Sequence, residues 1–396
     1  MPPSDRSLKP NPMNQQASAT RAGGLDTLRA AAIGLVLMTH YNGFVSHHET
    51  FGVVGSIGWA GVDLFFVLSG YLIGNQIAAP IANGQPLSLK AFFARRLIRT
   101  LPNYYVVLIA YLLLPGALAG SHTASIWRFL TFTQNFGLAY GETFTHSWSL
   151  CVEEQFYLIL PVAALILMKV NRSSRTVWWA LGIAVAIGIV LRGSASLKYG
   201  SDSFSAELYY SSFARFDELL FGVAIAVLKN LHVDLYARIL RRGNALLSMG
   251  LLSAIGVFFG FANDFPNPFI ATAFGFSLLA ASFALLTLAA LSPGSLLHRL
   301  RIPGAAPLAR WSYAIYLVHK PIFMLVSPQL AQRHIDANSP PVVVLVLCAG
   351  VAGGWLLFRA VELPFMRLRS RWFPQHLGRE KSGVAARPAM PLLRPD

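Results

Sequence analysis

Arg29 and His40 stand eleven residues apart in LDTLRAAAIGLVLMTHY (Leu25 to Tyr41), a run so apolar that neither a guanidinium nor an imidazole belongs there without a task. Eleven residues of helix turn through about 1100°, about 20° past three whole turns, and rise about 16 Å, so the two side chains share a face at different depths. An imidazole, with an ordinary pKa of about 6.5, suits removal of a proton from a hydroxyl as that hydroxyl attacks. Two carboxylates could fix its tautomer and support the imidazolium: Asp63 in GVDLFFVLSGYLIG, and Glu153 in HSWSLCVEEQFYLILP. Glu153 and Tyr157 are four apart and share a face. Glu153 and Glu154 differ by about 100°, which predicts one carboxylate inside the bundle and the other at its boundary. In KAFFARRLIRTLPNYY, Arg96 and Arg99 fall on one face with Arg95 beside them, and arginine forks match phosphate oxygens bidentately.

Each feature also has a plainer structural reading. Arg29 can snorkel to an interface, the arginine segment can grip anionic lipid headgroups, and the adjacent glutamates can serve an ion pair. Ser69 and Gly70 read as small residues that let helices approach closely. Arg215 and Asp217, in RFDELLFG, are expected to neutralise each other, and Glu362 to brace the arginine segment. His319, in SYAIYLVHKPIF, reads by default as a hydrogen-bonded core histidine. Tyr157, Arg215, His319 and Glu362 therefore stand as supporting candidates.

The elements that must position these groups follow from composition. Of 396 residues, 55% are apolar and only 12% charged, against about 25% charged in a soluble domain. So few charges could not cover a water-soluble protein of this size, which excludes ordinary globular enzymes and disordered regulators. Ten runs are long and apolar enough to span a bilayer: 27–46, 53–78, 101–119, 149–168, 177–192, 209–228, 245–262, 269–291, 311–328 and 341–361. Both tails and the even-numbered loops hold 24 Lys and Arg, the other five loops only four (Arg128, Arg192, Lys198 and Arg333), so both termini are expected on the cytoplasmic side of the membrane. Arg29, Arg215, Lys320 and Arg359 remain within or at the ends of runs, where charge is costly. The net charge of +15 is spread between apolar runs instead of gathered on one soluble face, which argues against nucleic-acid binding. Cys151 and Cys348 are too few for a disulfide framework or a multi-cysteine metal site. No cleavable signal peptide is expected before the first run. The expected organisation is an all-α polytopic membrane helix bundle over 25–366, with a disordered tail at 1–24 and a basic tail at 367–396.

The motifs in order resemble the membrane-bound acyltransferase 3 family, which includes bacterial sugar and polysaccharide O-acyltransferases and macrolide acyltransferases. The resemblance runs from about Leu25 to Phe365 and is carried by Asp26, Arg29 and His40, then GVDLFFVLSGYLI, RRLIRTLP, WSLCVEEQFYLILP, RFDELLFG, YLVHKPI, and Glu362 with Pro364. Thr27 stands where the family usually has glycine, which bears on where the first helix starts.

The resemblance implies transfer of an acyl group, most often acetyl, from acyl-CoA to a hydroxyl of a cell-surface glycan, a lipid-linked sugar or a macrolide. It implies roles for Arg29, His40, Arg96, Arg99 and Glu153, and it ranks Glu153 ahead of Asp63. Chemistry agrees: His40 is the base, and Arg95, Arg96 and Arg99, with Arg29, can hold the CoA phosphates. No metal or permanently bound cofactor is needed; membrane lipids, acyl-CoA and the acceptor are the expected partners. Some relatives append a soluble esterase-like domain. The sequence shows no such stretch, so the membrane portion either suffices or passes the group to a partner protein. A covalent acyl-enzyme on Ser, Tyr or Cys151 and direct transfer both stay open. The rival reading, a proton-coupled transporter or flippase, would use the same buried groups but lacks the repeat between halves that transporters often show.

Overall fold

The computed structural model describes residues 23–118, 124–138, 141–171, 173–199, 204–263 and 267–372. Most of both expected tails lies outside these residues. Within them the chain is helical, without a strand. Helices of eight residues or more are α1 (Gly23–Tyr41), α2 (Ala60–Ala82), α3 (Leu89–Leu113), α4 (Trp148–Val170), α5 (Ser174–Tyr199), α6 (Ser212–Leu231), α7 (Val233–Leu240), α8 (Gly243–Ala262), α9 (Pro268–Leu291), α10 (Ala305–Gln332), α11 (Pro340–Leu357) and α12 (Leu363–Trp372). Every apolar run of the sequence holds one of the long helices.

Among the described residues, six helices are long and apolar enough to cross a membrane, seven if α6 and α7, bent by 114°, count as one span. Three long helices miss that criterion: α1, α3 and α10. They carry Arg29 and His40, the three arginines, and His319 with Lys320, so candidate site residues are among the groups that lower their apolarity. Leu252 and Ile255 on α8 and Val344 and Leu345 on α11 are exposed, as suits surfaces facing lipid.

At the centre, α1 packs against α2 and α10, while α2 packs most closely against α6. That crossing depends on missing side chains. A Cβ on Gly70 would strike the Leu219 carbonyl, and one on Gly222 the Val67 carbonyl. Gly70 therefore does what the sequence suggested. Ser69 does something else, donating to Glu153 Oε1 at 2.9 Å.

Two fully buried ion clusters hold the helices around this crossing. Arg215 on α6 reaches Asp63 Oδ1 on α2 at 2.8 Å and also engages Glu218. Arg192 on α5 grips both oxygens of Asp217 at 2.8 and 3.1 Å, donates to the Ala273 carbonyl at 3.0 Å, and reaches Ser277 Oγ on α9 at 2.6 Å. The expected Arg215–Asp217 pair is thus replaced by two pairs across helices. Residues two apart point about 200° from each other around a helix, so each finds a partner on a different neighbour. Arg192, placed in a loop by the sequence, is helical because α5 continues to Tyr199. Cys151 is buried and Cys348 exposed, both as free thiols.

Candidate active site

A cavity of about 330 Å³ has Arg29, Arg96, Arg99, Ser69, Glu153 and Tyr157 in its wall. Glu153 is its organising carboxylate. Oε1 accepts from Ser69, while Oε2 accepts from the Tyr157 hydroxyl at 2.9 Å and from Arg96 at 3.3 Å. Arg96 also donates from Nε to Glu154 Oε1 at 3.2 Å, and its guanidinium lies 3.9 Å from the centroid of the Tyr157 ring. Both glutamates therefore meet one arginine, with Glu153 buried and Glu154 only partly so, which fits the expectation of one inside the bundle and the other at its boundary. With its guanidinium shared between two carboxylates, Arg96 has less to offer a phosphate. Arg99 has no carboxylate in ion-pair contact among the described residues and lines the cavity. Arg95 is not in this wall. Glu362 accepts from Asn103 Nδ2 at 3.0 Å, so it braces the arginine-bearing α3 through Asn103.

A second cavity, of about 480 Å³, has His40, His146 and Lys320 in its wall among aromatic side chains. Val62 and Tyr316 line both cavities, so one thin partition separates the arginines from the imidazoles. Arg29 and His40 open onto the two sides of it, as their alignment along α1 predicts.

Hydrogen bonding fixes the imidazole tautomers. His319 Nδ1 sits 3.0 Å from the Ile315 carbonyl, an atom that only accepts, so Nδ1 carries the proton and Nε2 of the neutral ring is a bare acceptor. His40 Nδ1 lies 2.5 Å from that Nε2 and must be its donor. The rings are 9° from parallel with centroids 4.8 Å apart, which together with the short N···N distance puts them edge to edge in a common plane. The consequence is a bare Nε2 on His40, in a ring that lines the cavity. His319 thus takes the orienting place that the sequence offered to Asp63 or Glu153. Asp63 is held by Arg215, and Glu153 by Ser69, Tyr157 and Arg96.

His146, which sequence reasoning passed over, is the third imidazole, its centroid 6.4 Å from that of His40. Its Nε2 donates to the Leu317 carbonyl at 3.0 Å. That carbonyl is free because Pro321, four residues on, has no N–H to give it. His146 Nδ1 is then bare, buried, and unpartnered among the described residues. Two signals pointed to this residue: its seven-residue spacing from Glu153, and the proline after His319 and Lys320. Cys151, fully buried, lines neither cavity, which removes it as an accessible acyl carrier.

The site can therefore accept a proton at one imidazole, hold that ring with another, and present arginine across a shared wall. Comparisons with known proteins agree with such chemistry. A family profile described as an acyltransferase domain matches residues 23–359. The peptidoglycan O-acetyltransferase OatA of Listeria monocytogenes is 30% identical over 370 residues, covering 87% of this chain and 55% of the relative. A putative peptidoglycan O-acetyltransferase, YrhL of Bacillus subtilis, is 28% identical over 77% of this chain and 49% of its own length. A putative O-acetyltransferase of Staphylococcus aureus is 26% identical over 89% and 60%, respectively. The chain thus spans about half the length of these relatives. No solved structure matches it. With the family profile covering nearly the whole described bundle, the chain belongs to the acyltransferase 3 family.

Proposed function

We propose that this protein is a multi-pass inner-membrane O-acetyltransferase that moves acetyl from acetyl-CoA, bound on the cytoplasmic side, to a hydroxyl of a cell-surface glycan on the other side. The ten long helices then serve as spans, with both termini cytoplasmic. The observation that carries this reading is the shared wall at Val62 and Tyr316, with arginines lining the cavity on one side and His40 lining the cavity on the other. The relatives' names make peptidoglycan the first acceptor to test.

In the reaction, His40 Nε2 takes the hydroxyl proton as the oxygen attacks the thioester carbonyl. The positive charge stays on a ring whose Nδ1–H remains bonded to His319. The tetrahedral intermediate expels the CoA thiolate, which recovers the proton from His40, so atoms and charge balance without a covalent acyl-enzyme. Direct transfer fits a site whose one cysteine near the cavities is walled off.

Arg99 supplies the test of donor binding. A charge-assisted hydrogen bond contributes about 1.5–3 kcal/mol, or roughly 10–100-fold in affinity. Arg99→Met is expected to raise the KM for acetyl-CoA by about that factor with kcat little changed, measured by release of CoA from detergent-purified protein. An unchanged KM would remove Arg99 from the donor site. Gradient-driven uptake of a substrate without thioester turnover would replace the enzyme reading with a transporter.

A further inference from the structure

Lys320 is only 2% exposed, yet it lines the imidazole cavity. Its ammonium lies 4.6 Å from the centroid of the Phe44 ring, and no carboxylate among the described residues pairs with it. None of the residues lining this cavity is Asp or Glu. A buried cation with imidazoles and a ring face but no carboxylate beside it is costly, unless something anionic enters to meet it.

Position decides which anion that is. Phe44 follows His40 by four residues, further from Arg29 along the chain, in the π-helical turn Asn42–Ser46 that extends α1. The donor would arrive from the Arg29 side, across Val62 and Tyr316. The ammonium therefore lies on the far side of His40 from the thioester, where the acceptor must sit. Trp59, Trp148, Tyr209 and Phe276 supply flat apolar faces in the same wall. Such a wall, with a few placed polar groups, suits a ring held by stacking and oriented by charge.

We propose that Lys320 anchors a carboxylate carried by the acceptor, so that this cavity selects an acidic sugar over its neutral counterpart. The inference rests on the transfer reading for the direction of entry, but its first test does not need turnover. Tryptophan fluorescence of the purified protein, whose eight tryptophans include Trp59 and Trp148 in the wall, is titrated with trigalacturonate and with its carboxyl-reduced form. The wild type is expected to bind the acid about 10–100-fold more tightly, the range of one charge-assisted hydrogen bond. Lys320→Met is expected to bind the two probes alike, and Lys320→Arg to keep the preference. Equal binding by the wild type, or a preference that survives in Lys320→Met, overturns the proposal.

A second measurement separates this anchor from a role in the chemical step. Acetyl transfer to native and to carboxyl-reduced surface glycan is compared for wild type and Lys320→Met. Removing either the ammonium or the carboxylate is expected to lower kcat/KM by the same factor, with no further loss when both are gone. An equal fall in kcat on both glycans would place the ammonium on the developing oxyanion and overturn the anchor. Carboxylate preference in binding, combined with no transfer to either glycan, would support the anchor while sinking the transfer reading.

Discussion

His40→Ala is expected to lower acetyl transfer by about 100- to 10,000-fold, the range over which a positioned general base contributes. The ring lines a cavity, and its one side-chain hydrogen bond goes to His319, so truncation enlarges existing space without stranding a charge. The arginines proposed to hold the donor stand on the other side of Val62 and Tyr316, so the KM for acetyl-CoA should stay near that of the wild type. His319→Leu should also reduce kcat, by less, since it keeps the base and removes only what fixes its tautomer. Steady-state release of CoA in the presence of acceptor measures both variants. Equal and modest losses in the two would mean that the imidazole pair is structural.

Arg215→Met is expected to cost about 3–5 kcal/mol of stability, because a broken buried pair leaves its partner charges uncompensated. Total stabilities run to about 5–15 kcal/mol, so most of the protein should be lost from the folded, monodisperse fraction. Asp63 and Glu218 would be the stranded groups, both fully buried beside the α2–α6 crossing. Combining Arg215→Met with Asp63→Asn and Glu218→Gln removes the charges together and should restore much of the loss. Thermal unfolding in detergent, followed by loss of the monodisperse peak, reads all of these variants. A single variant that melts with the wild type would show that the cluster carries little of the stability.

The sequence made the long helices legible because a bilayer leaves no alternative to apolar runs of fixed length. The alignment of Arg29 with His40 was legible too, since spacing along one helix fixes a face. What spacing cannot give is which neighbour that face meets. Asp63 and Glu153 were both candidate partners for His40, Glu153 ranked ahead only by the resemblance, yet Arg215 holds one and the Ser69, Tyr157 and Arg96 group holds the other. Arg215 and Asp217 looked like mutual partners because they are close in sequence, but helical geometry turns them apart. Arg215 meets Asp63 because Gly70 and Gly222 let α2 and α6 pack tightly, and Asp217 meets Arg192 because Gly188 lets α5 come close to it. His146 escaped notice because it precedes an apolar run and bonds a backbone carbonyl, a partner exposed only by the missing N–H of Pro321.

In the proposed reaction, donor and acceptor reach His40 from opposite sides of the membrane. Proteoliposomes holding the purified protein in one orientation test it directly. Labelled acetyl-CoA is supplied only on the side of the arginine cavity, and a glycan acceptor only on the side of the imidazole cavity. Labelled ester is expected on the glycan, with CoA released where the donor was added, and neither product with His40→Ala. Ester formed only when donor and acceptor share a compartment would contradict that reaction.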